Sequence, residues 1–203
     1  MKINPTKQKV IDAASLLFFQ NGFHGTSVRD IADKASVNVS LISYYFKSKQ
    51  GLLEYAVTKY YERYLQAIEE TIKETTSEDS LISLKKLIDT IIQYKQSHYQ
   101  FTCFIHRELT LDSTFVREMM VTYLAKENHY ISKALFNALE VQHATDEEQF
   151  LLMQLKGMLV TPYVLQHDWK DKVVGVYSHN QFAKKYVQTI YNWLDYIVTL
   201  KRH

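Results

Sequence analysis

Residues 22–49 read GFHGTSVRDIADKASVNVSLISYYFKSK, and this stretch predicts two short helices joined by a tight turn. Ser27 and Asp30 have the spacing of a capping box, which starts the first of the two helices. Ala35-Ser36-Val37 then forms the connection, and Asn38 can cap the helix that follows it. Two short helices joined by about three residues have the form of a helix-turn-helix.

The rest of the chain repeats apolar residues at helical spacing. One helix is predicted over residues 6–20, ended by Asn21-Gly22, and another over about 49–75. Five further helices are expected over about 80–97, 99–109, 113–142, 146–167 and 180–202. Pro162 should kink or break the helix that carries it. Because the 203 residues include only five Gly and two Pro, they offer too few turns for a sandwich, barrel or propeller, and the predicted fold class is all-α.

The composition excludes several classes of protein. The single cysteine, Cys103, rules out a disulfide framework and a Cys-rich zinc module, and it fits a reducing cytosol. No apolar stretch approaches the roughly 18 residues that a membrane-spanning helix needs. The first residues lack the apolar segment of a signal peptide. We therefore expect a cytoplasmic protein that has no membrane partner.

Charge is distributed unevenly, although the formal net charge is only +2. The first fifty residues carry seven Lys or Arg and three Asp, which gives +4. The remaining 153 residues carry 17 basic and 19 acidic side chains, which gives −2. A basic head on a slightly acidic body indicates that only the head meets a polyanion.

The two short helices are expected to bury one face and expose the other. Ile31, Ile42 and Phe46 would pack against Leu17 and Phe18 of the preceding helix. The opposite face carries small or hydrogen-bonding side chains, of the kind that read base edges in a major groove: Asn38, Val39, Ser40, Ser43 and Tyr44. Four further predicted DNA contacts flank that face and suit phosphate: Arg29, Tyr45, Lys47 and Lys49. Ser27 is the remaining predicted DNA contact. The alternative is a structural helical hairpin with a basic, solvated face.

Three motifs, taken in order, resemble the DNA-binding head of the TetR/AcrR family of bacterial regulators. They are Asn21-Gly22-Phe23, residues 26–32, and residues 44–49 followed by Leu52-Leu53, and together they span about 45 residues. Two positions depart from the family pattern, since Ser36 stands where Gly is common and Ser43 where Tyr is common. The first departure concerns the geometry of the turn, and the second concerns sequence preference.

The resemblance implies an all-helical homodimer of about nine helices that regulates transcription, as a repressor, without a cofactor. Residues 1–50 would form the helix-turn-helix domain, and residues 51–203 a helical dimerisation and regulatory domain. The third helix of each subunit would read a near-palindromic site in double-stranded DNA.

Family members pair their last two helices in a four-helix bundle between subunits, which makes the apolar side chains of these helices candidates for a dimer interface. The candidates are Leu151, Leu155, Met158, Leu159, Ile190, Trp193, Leu194 and Ile197. A monomer could bury some of these side chains itself.

A second charged run, over residues 106–118, contains two Arg-Glu pairs. Surface ion pairs worth under about 1 kcal/mol each are one interpretation. Together with residues 42–47, the run also resembles DNA-binding proteins of spore-forming bacilli that act in forespore capture. That resemblance implies an alternative function, a DNA-bound factor that acts on the cell-division ring and chromosome position during sporulation by protein contact. Arg107, Arg117 and Glu118 would then be candidates for contact with a division protein.

The sequence contains no Gly-rich phosphate loop, His-Glu-x-x-His pair or Gly-x-Ser-x-Gly elbow. Cys103 and His106 share a helix face, but the sequence signals no third or fourth metal ligand. The aromatic residues of the body suit either a pocket for a small apolar effector or an ordinary core. We therefore expect neither an enzyme nor a metal protein.

Overall fold

The computed structural model describes the backbone of residues 4–110, 114–165 and 179–201, and the side chains of these residues except 110, 114–120, 179 and 180. Every regular element in these ranges is an α-helix, and the ranges contain nine of them. In chain order they are α1 Pro5–Asn21, α2 Val28–Ala35, α3 Val39–Phe46, α4 Lys49–Glu74, α5 Ser80–Ser97, α6 Tyr99–Thr110, α7 Thr114–Ala138, α8 Asp146–Val164 and α9 His179–Lys201. The predicted all-α fold is confirmed.

The predicted helix starts agree with the structure because they rest on local capping. The side chains of Ser27, Asn38 and Asp79 accept hydrogen bonds from backbone N–H groups of the first turn. At Thr145 the backbone N–H donates to Glu148 Oε2 at 2.8 Å. A helix end was less accurate, since α7 stops at Ala138 and not at the predicted residue 142. Glu140 adopts a left-handed φ of 57°. The N–H of Val141 then donates to Phe136 O at 3.0 Å, which closes the helix as a Schellman turn.

Pro162 lies in the last turn of α8, which ends two residues later at Val164. Because proline has no N–H, it cannot donate to Met158 O, the carbonyl four residues earlier. Tyr186 of α9 donates its hydroxyl to that oxygen at 2.7 Å. Burial raises the pKa of Tyr186 to about 12, so the hydroxyl stays protonated and able to donate. The Met158 carbonyl, which proline leaves without its helical donor, is therefore hydrogen-bonded by a side chain of α9.

The described chain divides into two compact units. One consists of Met1–Arg63 with Tyr99–Met119, and the other of Tyr64–His98 with Met120–His203. Helices α4 and α7 therefore contribute to both units, and α6 belongs to the same unit as α1, α2 and α3. The domain boundary predicted at residue 50 stays a prediction.

The first unit is built around α1 and α6. Phe18 of α1 is fully buried, and its ring contacts the rings of Phe23 and Phe104 at centroid distances of 5.6 and 5.3 Å. All six residues from Phe101 to His106 in α6 are buried. The hydroxyls of Tyr60 in α4 and Thr102 in α6 are 2.9 Å apart, which ties these two helices together in the interior.

The second unit packs α9 along α5, with α8 beside them. Tyr191 of α9 donates to Lys85 O at 2.9 Å, and Lys85 Nζ lies 2.5 Å from Asp195 Oδ1. The interior also holds an ion pair, because Lys95 Nζ lies 3.2 Å from Glu127 Oε1 and Lys95 is only 3% exposed. A buried pair of this kind is costly to break by removing one partner.

The sequence predicts no membrane-spanning helix. None of the helices in the part of the chain that the structure describes is long and apolar enough to cross a membrane.

Ser36 ends α2 in the left-handed conformation, with φ 54° and ψ 48°. Its N–H donates to Asp33 O at 3.1 Å, and the N–H of Val37 donates to Ala32 O at 3.0 Å. Serine therefore makes the turn between α2 and α3 in a conformation that favours glycine.

We predict that Ser36→Gly raises the free energy of unfolding by about 0.5–1 kcal/mol. Relief of the left-handed strain should exceed the extra chain entropy that glycine brings to the unfolded state. Urea unfolding of the two proteins measures the difference. Ser36→Ala keeps the unfavourable φ and serves as the control, so an equal gain from alanine would contradict the assigned cause.

Candidate nucleic-acid interface

The start of α2 is fixed by the capping box that the sequence predicts. Ser27 N–H donates to Asp30 Oδ2 at 2.8 Å, and Asp30 N–H donates to Ser27 Oγ at 3.1 Å. Hydrogen bonds from the side chain and the backbone of Ser27 to the Asp30 carboxylate lower the pKa of Asp30. An acidic residue in the first turn of a helix is also stabilised by the helix dipole.

The structure places α3 with one face buried and the other in solvent. Ile42 and Phe46 are buried, as the sequence predicts, whereas Tyr44 is 79% exposed. Asn38 caps the helix, because its Oδ1 accepts from the N–H of Ser40 at 2.9 Å and from the hydroxyl of Ser40 at 2.8 Å. Two of the predicted base-reading side chains are thus bonded to each other in the free protein.

Eight of the ten predicted DNA contacts are exposed side chains: Ser27, Arg29, Asn38, Val39, Ser40, Ser43, Tyr44 and Lys47. The other two, Tyr45 and Lys49, are half-buried. The ten residues lie on or directly beside α2, α3 and the start of α4. Their contact with DNA stays a prediction.

Lys49 makes contacts that the sequence does not reveal. Its Nζ donates to Phe23 O at 2.7 Å and to Thr26 O at 2.6 Å, and it lies 4.4 Å from the centroid of the Phe23 ring. The ammonium therefore holds the loop between α1 and α2.

The same loop is held by its own side chains. The hydroxyl of Thr26, which is buried, donates to Gly22 O at 2.9 Å and to Leu17 O at 3.2 Å. A Cβ on Gly25 would lie 2.3 Å from Asn21 O, so only glycine fits at that position. The loop thus has one conformation that fixes where α2 begins.

Lys7 is a basic residue of this surface that the sequence analysis did not select. Its Nζ lies 5.1 Å from the centroid of the Tyr45 ring and 5.5 Å from that of Tyr55. A cation at this distance over an aromatic face is attracted to it. Lys7 lies on α1, 38 residues before Tyr45 in the sequence, so only the fold shows that the two side chains meet.

Of the three residues predicted to contact a division protein, only Arg107 has a described side chain, and it contacts its own chain. Arg107 is half-buried, and its two terminal nitrogens donate to Phe18 O at 2.6 Å and to Phe19 O at 3.0 Å. Its guanidinium therefore bonds to the end of α1. The side chains of Arg117 and Glu118 lie outside the described residues.

Most of the candidate dimer residues are buried within the single chain. Leu155, Leu159, Ile190, Leu194 and Ile197 lie in the core of the second unit. Leu151, Met158 and Trp193 are half-buried. The buried five pack within their own unit, and the place of all eight in a dimer interface stays a prediction.

The orientation of α9 relative to α8 follows from contacts at both ends. Lys201 donates to Glu147 and Glu148 at 2.8 and 2.7 Å, near the start of α8. The hydrogen bond from Tyr186 to Met158 O lies near the end of α8. The two helices therefore run antiparallel, which brings the first half of α8 to the level of the last half of α9.

Exposed apolar side chains lie at that level on both helices. Phe150 and Met153 of α8 are 59% and 65% exposed, and Tyr196 and Leu200 of α9 are 65% and 59% exposed. Gly157, one turn after Met153, has open space beyond its Cα. These side chains, Phe150, Met153, Tyr196 and Leu200, are named the α8–α9 face below.

The second unit also has an open cleft of about 340 Å³ between the end of α4, the start of α5 and α7. Polar side chains form much of its lining, among them Thr75, Glu78, Ser83, Tyr130 and Lys133. Ile72, Leu87 and Ala134 supply apolar lining beside them. Among the described residues, no three His, Cys, Asp or Glu side chains are grouped to hold a metal ion.

Comparison with known proteins matches the first unit to a family model. The model described as bacterial regulatory proteins, tetR family, matches residues 10–56. The chain is 41% identical over 197 residues to the probable HTH-type transcriptional regulator YttP of Bacillus subtilis, and the match covers 96% of this chain and 94% of that protein.

Solved structures share the fold. A TetR-like transcriptional regulator from Rhodococcus has a TM-score of 0.71 at 16% identity, with 96% of this chain and 98% of that chain covered. The transcriptional regulator FadR of B. subtilis, solved in complex with stearoyl-CoA, has a TM-score of 0.66 at 18% identity, with 89% and 95% covered.

We predict that Lys49→Met lowers the free energy of unfolding by about 1–3 kcal/mol, since it removes two charge-assisted hydrogen bonds to loop carbonyls. Lys47→Met is the matched control, because Lys47 is exposed and its loss should cost under about 0.5 kcal/mol. Chemical denaturation of the three proteins gives both differences. Equal stability of the two variants would show that Lys49 does not hold the loop.

Proposed function

The chain belongs to the TetR family of bacterial regulatory proteins, and from that premise we propose that it is a homodimeric, sequence-specific regulator that binds a near-palindromic site in double-stranded DNA. The observation that carries this proposal is α3, an eight-residue helix whose inner face is buried and whose outer face carries Ser40, Ser43 and Tyr44. A helix of this size fits a major groove.

In this proposal, residues on α3 contact bases, and basic residues near α3 contact phosphates. Ser43 and Tyr44 reach base edges, and Val39 contacts a thymine methyl group. Arg29 and Lys47 hold phosphates on either side of the groove. Lys7 joins them as a further cation beside Tyr45. Phosphate contacts supply affinity that falls with salt, whereas base contacts supply the sequence preference.

The dimer is proposed to form through the α8–α9 face. A C2 interface uses the same patch on both subunits, so four exposed apolar side chains become eight at one interface. Two recognition helices held about 34 Å apart would enter successive major grooves on one side of the duplex. A near-palindromic site with two half-sites follows from that symmetry.

The regulatory input is proposed to be a small molecule. The FadR neighbour from B. subtilis was solved with stearoyl-CoA, which supports a small effector in a protein of this fold. The cleft beside α4, α5 and α7 is lined by both apolar and polar side chains, so it supports a small effector that combines apolar surface with hydrogen-bonding groups. We propose that the protein acts in the cytoplasm, at the nucleoid.

The alternative role, in which the DNA-bound protein acts on the cell-division ring during sporulation, depends on a charged patch around residues 106–118. Arg107 does not support a partner contact, because it bonds to the carbonyls of α1. Occupancy of a few chromosomal sites without a change in transcription on deletion would favour this alternative over a repressor. Derepression of genes beside the bound sites would favour the repressor.

We predict that Tyr44→Ala weakens binding to the preferred site about tenfold or more and leaves binding to random duplex unchanged, since it removes only base contacts. Lys47→Ala should weaken both and lower the slope of log K against log salt by about one. The site is first selected from random duplex DNA with the wild-type protein, and fluorescence anisotropy then gives the affinities.

Both side chains are exposed, so unfolding curves of the two variants should match the wild type. The DNA assignment fails if the wild type selects no preferred sequence, or if Tyr44→Ala keeps full affinity for the selected site.

We predict that Phe150→Asp converts the dimer to a monomer, because it places one charge per subunit in an apolar interface. Val121→Asp is the control, since Val121 of α7 is also 59% exposed but lies on another helix. Analytical ultracentrifugation distinguishes the two masses. A Phe150→Asp protein that stays dimeric, or a Val121→Asp protein that dissociates, would place the interface elsewhere.

A further inference from the structure

Four carbonyl groups between the end of α1 and the start of α2 accept hydrogen bonds from two cationic side chains. Arg107 of α6 donates to Phe18 O and Phe19 O, and Lys49 of α4 donates to Phe23 O and Thr26 O. Residues 18–26 are named the α1–α2 connection below. Their carbonyls are therefore bonded by side chains of two helices, α4 and α6, that come later in the sequence.

The two carbonyls that Arg107 contacts belong to the last turn of α1, where backbone oxygens have few partners within the helix. The C-terminal end of a helix carries a partial negative charge, so a guanidinium is favourable there. Phe18 O also accepts from the N–H of Gly22 at 2.9 Å. Because a guanidinium is planar and its donors are fixed relative to each other, contact with two successive carbonyls sets both the position and the direction of the end of α1.

Arg107 is itself held in place by the interior of the first unit. Its guanidinium carbon lies 5.9 Å from the centroid of the Phe104 ring, one turn earlier on α6. Phe104 packs on Phe18, and the hydroxyl of Thr102 bonds to that of Tyr60 in α4. Helix α6 is thus packed against α1 and α4, and it positions Arg107 beside the α1–α2 connection.

Contacts continue from Arg107 across the connection to Lys49. The ring of Phe18 contacts the ring of Phe23. The ammonium of Lys49 lies over the same Phe23 ring. Thr26, whose carbonyl accepts from Lys49, directly precedes the capping residue Ser27. The place at which α2 begins therefore depends on both cations.

We propose that Arg107 is a positioning residue for DNA binding, which fixes α2 and α3 through the α1–α2 connection and does not itself contact DNA. This inference rests on the proposed function, because it assigns Arg107 a part in site-specific binding. It differs from a phosphate contact in that both terminal nitrogens of Arg107 donate to backbone carbonyls of the protein itself. It differs from a partner contact for the same reason.

The test compares Arg107→Met with Arg107→Lys and Arg63→Ala. Methionine keeps apolar contact with Phe104 but donates no hydrogen bond, whereas lysine can donate to carbonyl oxygens, as Lys49 does. Arg63 is an exposed arginine of the same unit, and its removal controls for the loss of one positive charge. Circular dichroism confirms that each variant is folded at the temperature of measurement.

For DNA binding, we expect Arg107→Met to weaken affinity for the selected site about tenfold or more. Affinity for random duplex and the salt slope should stay at wild-type values, and Arg107→Lys should recover most of the loss. An unchanged affinity for the selected site would overturn the inference. A salt slope reduced by about one would also overturn it, since Arg107 would then contact a phosphate itself.

Hydrogen exchange measured by mass spectrometry gives a readout without DNA. Peptides covering residues 27–46 should exchange faster in Arg107→Met than in the wild type and in Arg63→Ala, while peptides from the second unit stay unchanged. Equal exchange in all proteins overturns the positioning role, even if DNA binding is lost. Faster exchange in a protein whose wild type selects no DNA sequence overturns the proposed function and, with it, the part of Arg107 in DNA binding.

Discussion

Helices α2 and α3 have eight residues each, and helices of that length are not stable alone in water. Their existence and their position therefore depend on contacts that they make with the rest of the first unit. Ile31, Ile42 and Phe46 supply the apolar part of those contacts by burial. The caps at Ser27 and Asn38 satisfy the first N–H groups of each helix. Every exposed side chain that could read DNA takes its direction from these few residues.

The sequence predicts the exposed face of α3 well because the relevant interactions are local. The capping box joins residues three apart, and burial of Ile42 and Phe46 follows from helical periodicity. Lys49 and Arg107 could not be assigned their contacts in this way. Lys49 bonds to carbonyls 23 and 26 residues away, and Arg107 to carbonyls 88 and 89 residues away. A basic residue beside a helix-turn-helix suggests phosphate from sequence alone, and only the fold shows an internal acceptor.

The last two helices show a different limit of sequence patterns. Helix α8 has apolar side chains on more than one side, so periodicity does not decide which of them face the core of their own chain. Leu155 is fully buried, whereas Met153, two residues earlier, is 65% exposed. The packing of α9 along α5 and the contacts of Tyr186 and Lys201 with α8 settle the orientation. Residues expected at an interface thus became core residues, and their neighbours became the exposed face.

Lys49 has a consequence for the thermodynamics of recognition. A free lysine side chain loses up to about 2 kcal/mol of conformational entropy when it is immobilised, and a protein that orders it on binding loses that much affinity. In this chain, the two carbonyls and the Phe23 ring already hold the ammonium in one rotamer. An ammonium has three donors, of which two are used on these carbonyls. A phosphate that approaches the third would meet a side chain whose ordering was completed when the protein folded.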